Sequence, residues 1–157
     1  MSRRRAGTTF IELAIVLAMI IIFAAVLFLS PSQNRDRRTF DGTVNEVATL
    51  LHEAQARAMS QSSSTTWGVH FENITSTTPF FVLFYGSYST STKMGQYPLP
   101  SGVQYLSSSL ALGAVREISF AQITGSASAS SSIVLVSTRL TGVSSTIAVA
   151  SSGVVFY

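Results

Sequence analysis

The chain lacks cysteine entirely and contains only four prolines and one tryptophan. The absence of cysteine excludes disulfides, thiolate metal sites and thiol nucleophiles. At 157 residues the chain is also too short for two full domains, which excludes a large multidomain enzyme. Two histidines, His52 and His70, remain for acid–base or metal chemistry, but the sequence indicates no third group converging on either. We therefore expect both to be solvated, with no active site, metal site or cofactor.

Charge is scarce in the C-terminal part of the chain. Of the ten lysines and arginines, three form a run at positions 3–5. The charged residues from position 60 onward are Glu72, Lys93, Arg116, Glu117 and Arg139. A nucleic-acid surface needs clustered cations that displace counterions from the phosphates. No nucleic-acid partner is expected from this distribution.

One long hydrophobic run stands near the N-terminus. Residues 13–29 contain no polar side chain, and residues 8–29 together would form a helix about 33 Å long. This length matches the hydrocarbon core of a bilayer and exceeds the apolar region of an ordinary secretory signal. The sequence therefore predicts a single-pass transmembrane helix over 8–29, preceded by a basic segment over 1–7.

A second helical pattern follows a break at Pro31, where the missing backbone donor predicts a kink. Apolar residues then recur at steps of three and four, which indicates an amphipathic helix. These residues are Phe40, Val44, Val47, Leu51, Ala54 and Ala58. We expect this helix within residues 30–61, with its apolar side against the remainder of the protein.

Residues 62–157 change from a helical period to alternation, and clusters of Gly, Ser, Thr and Pro separate the alternating segments. The candidate strands are 67–72, 80–88, 103–106, 115–121, 133–138, 146–150 and 154–157. Residues 80–85 are apolar on both faces, which predicts a central strand covered on both sides. The fold class expected is α+β, with a long N-terminal helix packed on a C-terminal antiparallel β-sheet domain.

The N-terminal segment contains the most specific motif of the chain. A run of arginines at 3–5 is followed by Gly7, by Glu12 after four intervening residues, and by the apolar run. This segment resembles the leader of type IV pilins and of the pseudopilins of type II secretion. The resemblance implies that a prepilin peptidase cleaves after Gly7 and methylates the new N-terminus at Thr8. Thr8 stands where that family usually carries Phe or Met.

The charges of this segment agree with the resemblance. Cleavage after Gly7 removes three cations, lowers the side-chain net charge from +3 to zero, and creates an ammonium at Thr8 about one turn from Glu12. In a stack of offset helices, that ammonium meets Glu12 of a neighbouring subunit and sets the register of assembly. Phe10 and Leu13 supply apolar packing beside it. The competing interpretation is that Glu12 is an incidental acid at a membrane interface.

Later segments resemble the GspH/FimT-like group of minor pseudopilins and minor pilins. The similarity lies in the helical pattern of 44–60, in the strand that begins at Trp67, and in an ending at 147–157 built around Gly153. It implies a structural subunit with a pilin-like fold, located in the inner membrane with its C-terminal domain in the periplasm. The implied partners are other pilin or pseudopilin subunits, the prepilin peptidase, and an inner-membrane assembly platform driven by an ATPase.

Two other functions remain compatible with the sequence. A DNA-binding minor pilin of natural transformation would share the N-terminal motif, although the chain has no cation cluster after Arg57. A membrane-anchored enzyme would need His52 or His70 in its active site. Salt-dependent DNA binding or hydrolytic activity would distinguish these functions from a structural subunit.

Overall fold

A computed structural model describes residues 9–28, 32–74 and 76–157 of the chain. The chain is divided into two compact units, one within residues 1–34 and one over Arg35–Tyr157. The helices are α1 (Phe10–Phe28) and α2 (Ser32–Met59). The strands are β1 (Trp67–Glu72), β2 (Phe80–Tyr85), β3 (Lys93–Pro98), β4 (Val103–Tyr105), β5 (Val115–Phe120), β6 (Ser131–Ser137), β7 (Ser144–Val149) and β8 (Val155–Phe156).

The helical part corrects two predictions. Two separate helices, α1 of 19 residues and α2 of 28, replace the predicted long N-terminal helix. Among the described residues, neither helix combines the length and the apolar character needed to cross a membrane. The predicted transmembrane helix over 8–29 and the single-pass inner-membrane location are therefore wrong. The helix starts later than expected, at Phe10, and the stretch from Leu13 to Phe28 is only about 24 Å long.

Helix α2 has the apolar side that its sequence period predicts. All six apolar positions of that pattern are buried: Phe40, Val44, Val47, Leu51, Ala54 and Ala58. His52, Asn45 and Glu46 lie on the exposed side, whereas Thr43 is buried. Because half of its surface is polar, α2 is stabilised by packing one face against the β-domain.

The C-terminal end of α2 is fastened to the start of β1. The guanidinium of Arg57 lies over the ring of Trp67, 4.8 Å from its centroid, and its Nε donates to Glu53 at 2.9 Å. The indole N–H of Trp67 donates to the carbonyl of Ser62 at 2.7 Å. The fully buried indole is thus held on its face by a cation and on its edge by a hydrogen bond.

The strands form two antiparallel sheets, a division that the predicted antiparallel β-sheet domain did not specify. Sheet A has the order β3-β2-β1-β5, and sheet B has the order β4-β6-β7-β8. The segments 99–102, 106–114 and 121–130 carry the chain from one sheet to the other. The strands of sheet B bury alternate residues, so sheet B presents one inner face to the core, whereas β1 and β2 of sheet A are buried on both faces.

Strand β3 was not expected from the sequence. Its residues are mostly exposed, and Gly95 and Pro98 lower the β propensity of the segment. The strand exists because its backbone pairs with β2 at the edge of sheet A, with Phe81 opposite Tyr97. As a consequence β2 lies between β3 and β1, and Phe80 to Phe84 are buried on both faces. The predicted central, doubly covered strand is confirmed.

One hydrophobic core joins α2 to both sheets. Trp67, Val69 and Phe71 of β1 contribute from sheet A, and Ile133 and Leu135 of β6 contribute from sheet B. Trp67, Phe71 and Phe81 belong to this core, whereas Phe80 and Phe84 are buried outside it.

Tyr105 of β4 links the two sheets directly. Its ring meets Phe71 edge-on at 6.3 Å, and its hydroxyl donates to the carbonyl of Phe80 at 3.0 Å. Burial raises the pKa of Tyr105 far above the ordinary value of 10.0. Ionisation of this phenol therefore favours the unfolded chain: its contribution to stability is complete below about pH 10 and falls as the pH rises further.

Tyr105→Phe should lower the free energy of unfolding at neutral pH by about 1–2 kcal/mol, because the buried carbonyl of Phe80 loses its donor. The same substitution should reduce the loss of stability in alkali. Chemical denaturation at neutral pH and above pH 10, followed by circular dichroism, measures both effects. Tyr157→Phe, at an exposed position, is the matched control. An unchanged alkaline sensitivity of Tyr105→Phe would show that another group is responsible.

Candidate assembly surface

The first turn of α1 brings together the three described residues that the sequence assigns to assembly. The amides of Glu12 and Leu13 donate to the carbonyl of Thr9 at 3.0 and 3.2 Å, which starts the helix at Phe10. Phe10 and Leu13 are three residues apart and share a side of the helix, whereas Glu12 lies about 200° round from Phe10. The turn thus presents a carboxylate on one side and two apolar side chains on the other.

Glu12 also has a local role in the helix. It is the acidic residue of the first turn of α1, where backbone N–H groups have no helical partner and the helix dipole is positive. A carboxylate at this position stabilises the helix start, and Thr9-x-x-Glu12 has the spacing of a capping box. Any test of Glu12 in assembly must therefore separate its charge from its effect on helix formation.

From Phe10 to Phe23, the surface of α1 is apolar apart from Glu12 and is largely exposed. Phe10 is 87% exposed and Leu13 is 55% exposed. The other exposed large apolar residues of α1 are Ile11, Ile15, Val16, Leu17, Met19, Ile20, Ile21, Ile22 and Phe23. Since these positions follow one another along the chain, they cover the whole circumference of a helix with 3.6 residues per turn. Helices of this kind occur buried among other apolar groups.

Two processing residues, Gly7 and Thr8, lie outside the described residues. Their assignment rests on the sequence motif. The structure places Phe10, Glu12 and Leu13 in the turn that directly follows them.

The burial of His70 shows that the prediction of two solvated histidines is wrong for this residue. His52 is exposed on α2, but His70 of β1 is only 3% exposed. Its Nδ1 lies 2.9 Å from Oε1 of Glu117 on β5, and its Nε2 lies 3.4 Å from Oε2 of Glu72. The ring of Tyr88, from the segment between β2 and β3, stacks on the imidazole at 3.6 Å. His70 therefore belongs to a covered polar cluster on the outer face of sheet A.

The burial of His70 could have been inferred from the sequence of β2, although the alternation within β1 did not indicate it. His70 lies in register with Val82 of β2 and on the same face as Phe80 and Phe84. Because that face of β2 is apolar and covered, the neighbouring residue of β1 is covered as well. Tyr88 supplies the cover, but it lies in a polar segment without any periodic pattern.

The cations of the β-domain lie far apart in sequence, and each donates to a neighbouring group. Lys93 Nζ donates to Gln96 at 3.2 Å, and Arg116 donates to the carbonyl of Ser132 at 2.9 Å. Arg139 pairs with Asp36 at 3.0 Å. Within the described part of the chain, no group of three or more His, Asp or Glu side chains is arranged to hold a metal ion.

Comparison with known proteins finds no matching protein family, no matching curated protein and no matching solved structure. The geometry of α1 and the motif before it are therefore the basis for a functional proposal.

Proposed function

We propose that the chain is a structural, non-enzymatic subunit of a filament, of the pseudopilin or minor-pilin kind, which assembles through α1. The proposal places it in a type II secretion pseudopilus or a type IV pilus. The observation that carries it is the apolar, exposed surface of α1 with a single acid in its first turn.

Packing of α1 supplies the free energy of assembly in this proposal. Burying one large aliphatic or aromatic side chain is worth about 1.5–3 kcal/mol, and α1 exposes a continuous series of them. One flat partner cannot bury the apolar side chains on all sides of such a helix. Helices of several neighbouring subunits must surround it, which is the arrangement of a helical filament core.

Glu12 sets the axial register. When a prepilin peptidase cleaves after Gly7, the new ammonium at Thr8 can approach Glu12 of an adjoining subunit. Removal of the two charges from water offsets much of their attraction, so this contact favours one alignment more than it adds affinity. The remainder of the association comes from Phe10, Leu13 and the apolar residues beyond them.

The β-domain, in this proposal, is the surface that the filament presents. DNA binding by this surface is disfavoured, because Lys93, Arg116 and Arg139 lie far apart in sequence and each donates to a neighbouring group. None of the three belongs to a cation cluster of the kind that binds a polyanion. An incoming phosphate would have to compete with their existing contacts one at a time.

Mass spectrometry of the chain isolated from its native host tests the proposal. We expect the N-terminus at Thr8, with the segment from Met1 to Gly7 absent. We also expect the chain to sediment with filament subunits and to be released when the filaments are dissociated. A working form that retains Met1 to Gly7 would refute the proposed filament subunit.

Gly7→Leu should leave only the uncut precursor, because a bulky side chain at the cleavage position blocks peptidase access. The measurement is the intact mass, which should exceed that of the mature wild-type chain by the seven-residue leader. Ala6→Leu, one position earlier, is the matched control and should still be cut. A mature mass for Gly7→Leu would place the cleavage site elsewhere.

A further inference from the structure

The protonation of His70 can be deduced from its partners. Oε1 of Glu117 lies against Nδ1 and Oε2 of Glu72 lies against Nε2, so each ring nitrogen faces a carboxylate oxygen. An ionised carboxylate only accepts hydrogen bonds, and a neutral imidazole has only one N–H. Both contacts are hydrogen bonds only if the ring is a doubly protonated imidazolium. The cluster then holds one positive charge between two negative charges.

The cover over this cation is a single aromatic ring. Tyr88 lies almost parallel to the imidazole, with an interplanar angle of 8° and a centroid distance of 3.6 Å, and its edge meets Phe84 at 5.7 Å. A cation stacked on an aromatic face is attracted to the ring quadrupole. The segment 86–92 is anchored at its two ends, where Gly86 N–H donates to Thr66 and Tyr85 N–H donates to Thr92.

We propose that His70 is a proton-controlled latch: its imidazolium holds Tyr88 and the segment 86–92 on the outer face of sheet A, and loss of its proton releases them. The proposal does not depend on assembly through α1. It concerns the β-domain alone.

Loss of the proton changes the cluster in three ways. One nitrogen lone pair then points at a carboxylate oxygen, and the charge of the cluster changes from −1 to −2 around a buried ring. The attraction between the cation and the ring of Tyr88 disappears at the same time. The segment 86–92, still anchored at its two ends, is then free to lift its middle from the sheet, which uncovers the ring of Phe84.

The other charged groups of this face do not replace the proton. Glu72 and Glu117 are both acidic, β2 contributes Val82 and Phe84, and Lys93 of β3 is hydrogen-bonded to Gln96. Burial, together with the charges of Glu72 and Glu117, raises the pKa of Tyr88 above 10.0. The phenol therefore stays neutral between about pH 5.5 and pH 8.5.

Amide hydrogen exchange of the full chain at these two pH values tests the latch. After correction for intrinsic exchange, we expect the protection factors of residues 87–91 to fall at least about tenfold from pH 5.5 to pH 8.5. The amides of Val69 and Phe71 in the same strand as His70 should keep theirs. Equal protection of residues 87–91 at the two pH values would overturn the proposal.

Two histidine variants localise the effect. His70→Gln should give low protection of residues 87–91 at both pH values, whereas His52→Gln, at the exposed histidine of α2, should behave like the wild-type chain. Retention of the pH dependence in His70→Gln, or its loss in His52→Gln, would refute the latch.

A third variant covers the case in which His70→Gln does not fold. Glu117→Gln keeps the shape of the partner but removes its charge, and Glu117 is half-exposed, so the sheet should tolerate it. We expect its residues 87–91 to be less protected at pH 5.5 than in the wild-type chain. Wild-type protection in Glu117→Gln at pH 5.5 would show that the ion pair does not hold the segment.

Discussion

Glu12→Ala should leave cleavage after Gly7 intact and lower recovery of the chain in filaments by at least about tenfold. The proposed partner of Glu12 is the ammonium at Thr8 of a neighbouring subunit, and removing one member of a buried ion pair costs about 3–5 kcal/mol. Cleavage should continue because Gly7 and the arginines before it are unchanged. The measurement is the amount of mature chain that co-purifies with sheared filaments, normalised to the total mature chain in the cell.

Two further variants separate the charge of Glu12 from its role at the start of α1. Glu12→Gln retains the size and the capping geometry of the side chain but not its charge, so it should fail in assembly nearly as fully as Glu12→Ala. Glu46→Ala removes an exposed glutamate from α2 and should assemble normally. If Glu12→Gln assembles like the wild-type chain, the carboxylate acts by capping the helix and the proposed intersubunit ion pair is absent.

Gly153→Ala should lower the free energy of unfolding by about 3–5 kcal/mol. Gly153 has a φ of +90°, where a side chain is strained, and a Cβ at this position would overlap the carbonyl oxygen of Gly125 and lie 2.5 Å from Nε2 of Gln55. Nε2 of Gln55 donates to that same carbonyl at 3.1 Å. The new methyl group would therefore displace both the turn before β8 and a contact to α2.

Gly142→Ala is the matched control for this prediction. Gly142 also has a positive φ, +74°, but a Cβ added there would meet nothing within 4 Å, so only the backbone strain remains. We expect Gly142→Ala to cost about 1–2 kcal/mol, appreciably less than Gly153→Ala. Urea denaturation of both variants, followed by circular dichroism, gives the comparison. Equal losses would mean that the turn at Gly153 moves away without cost.

The parts of the fold that were predictable have a periodic apolar pattern. The burial of the apolar positions between Phe40 and Ala58 follows from a helical period, and β1 follows from the alternation of Trp67, Val69 and Phe71. Strand β3 carries no such pattern, because an edge strand with one partner needs only backbone hydrogen bonds to form. The division into two sheets also could not be predicted, because alternation indicates a single strand and not the strands with which it pairs.

The candidate site was predictable to the extent that a local motif defines it. The spacing from Gly7 to Glu12 sets the order of leader, acid and apolar run, and the structure places Phe10, Glu12 and Leu13 in one helical turn. The start of the apolar helix was placed too early, because hydropathy does not indicate where helical hydrogen bonding begins. The His70 cluster was missed because Tyr88 approaches from a segment distant in sequence.

The single tryptophan of the chain lies where α2 meets sheet A, beneath the guanidinium of Arg57 and with its N–H on Ser62. Its emission spectrum is therefore an intrinsic optical reporter of that junction. Detachment of the end of α2 would admit water to the indole and shift the emission to longer wavelength. No attached dye is needed to distinguish this event from events elsewhere in the chain, because no second indole contributes to the emission.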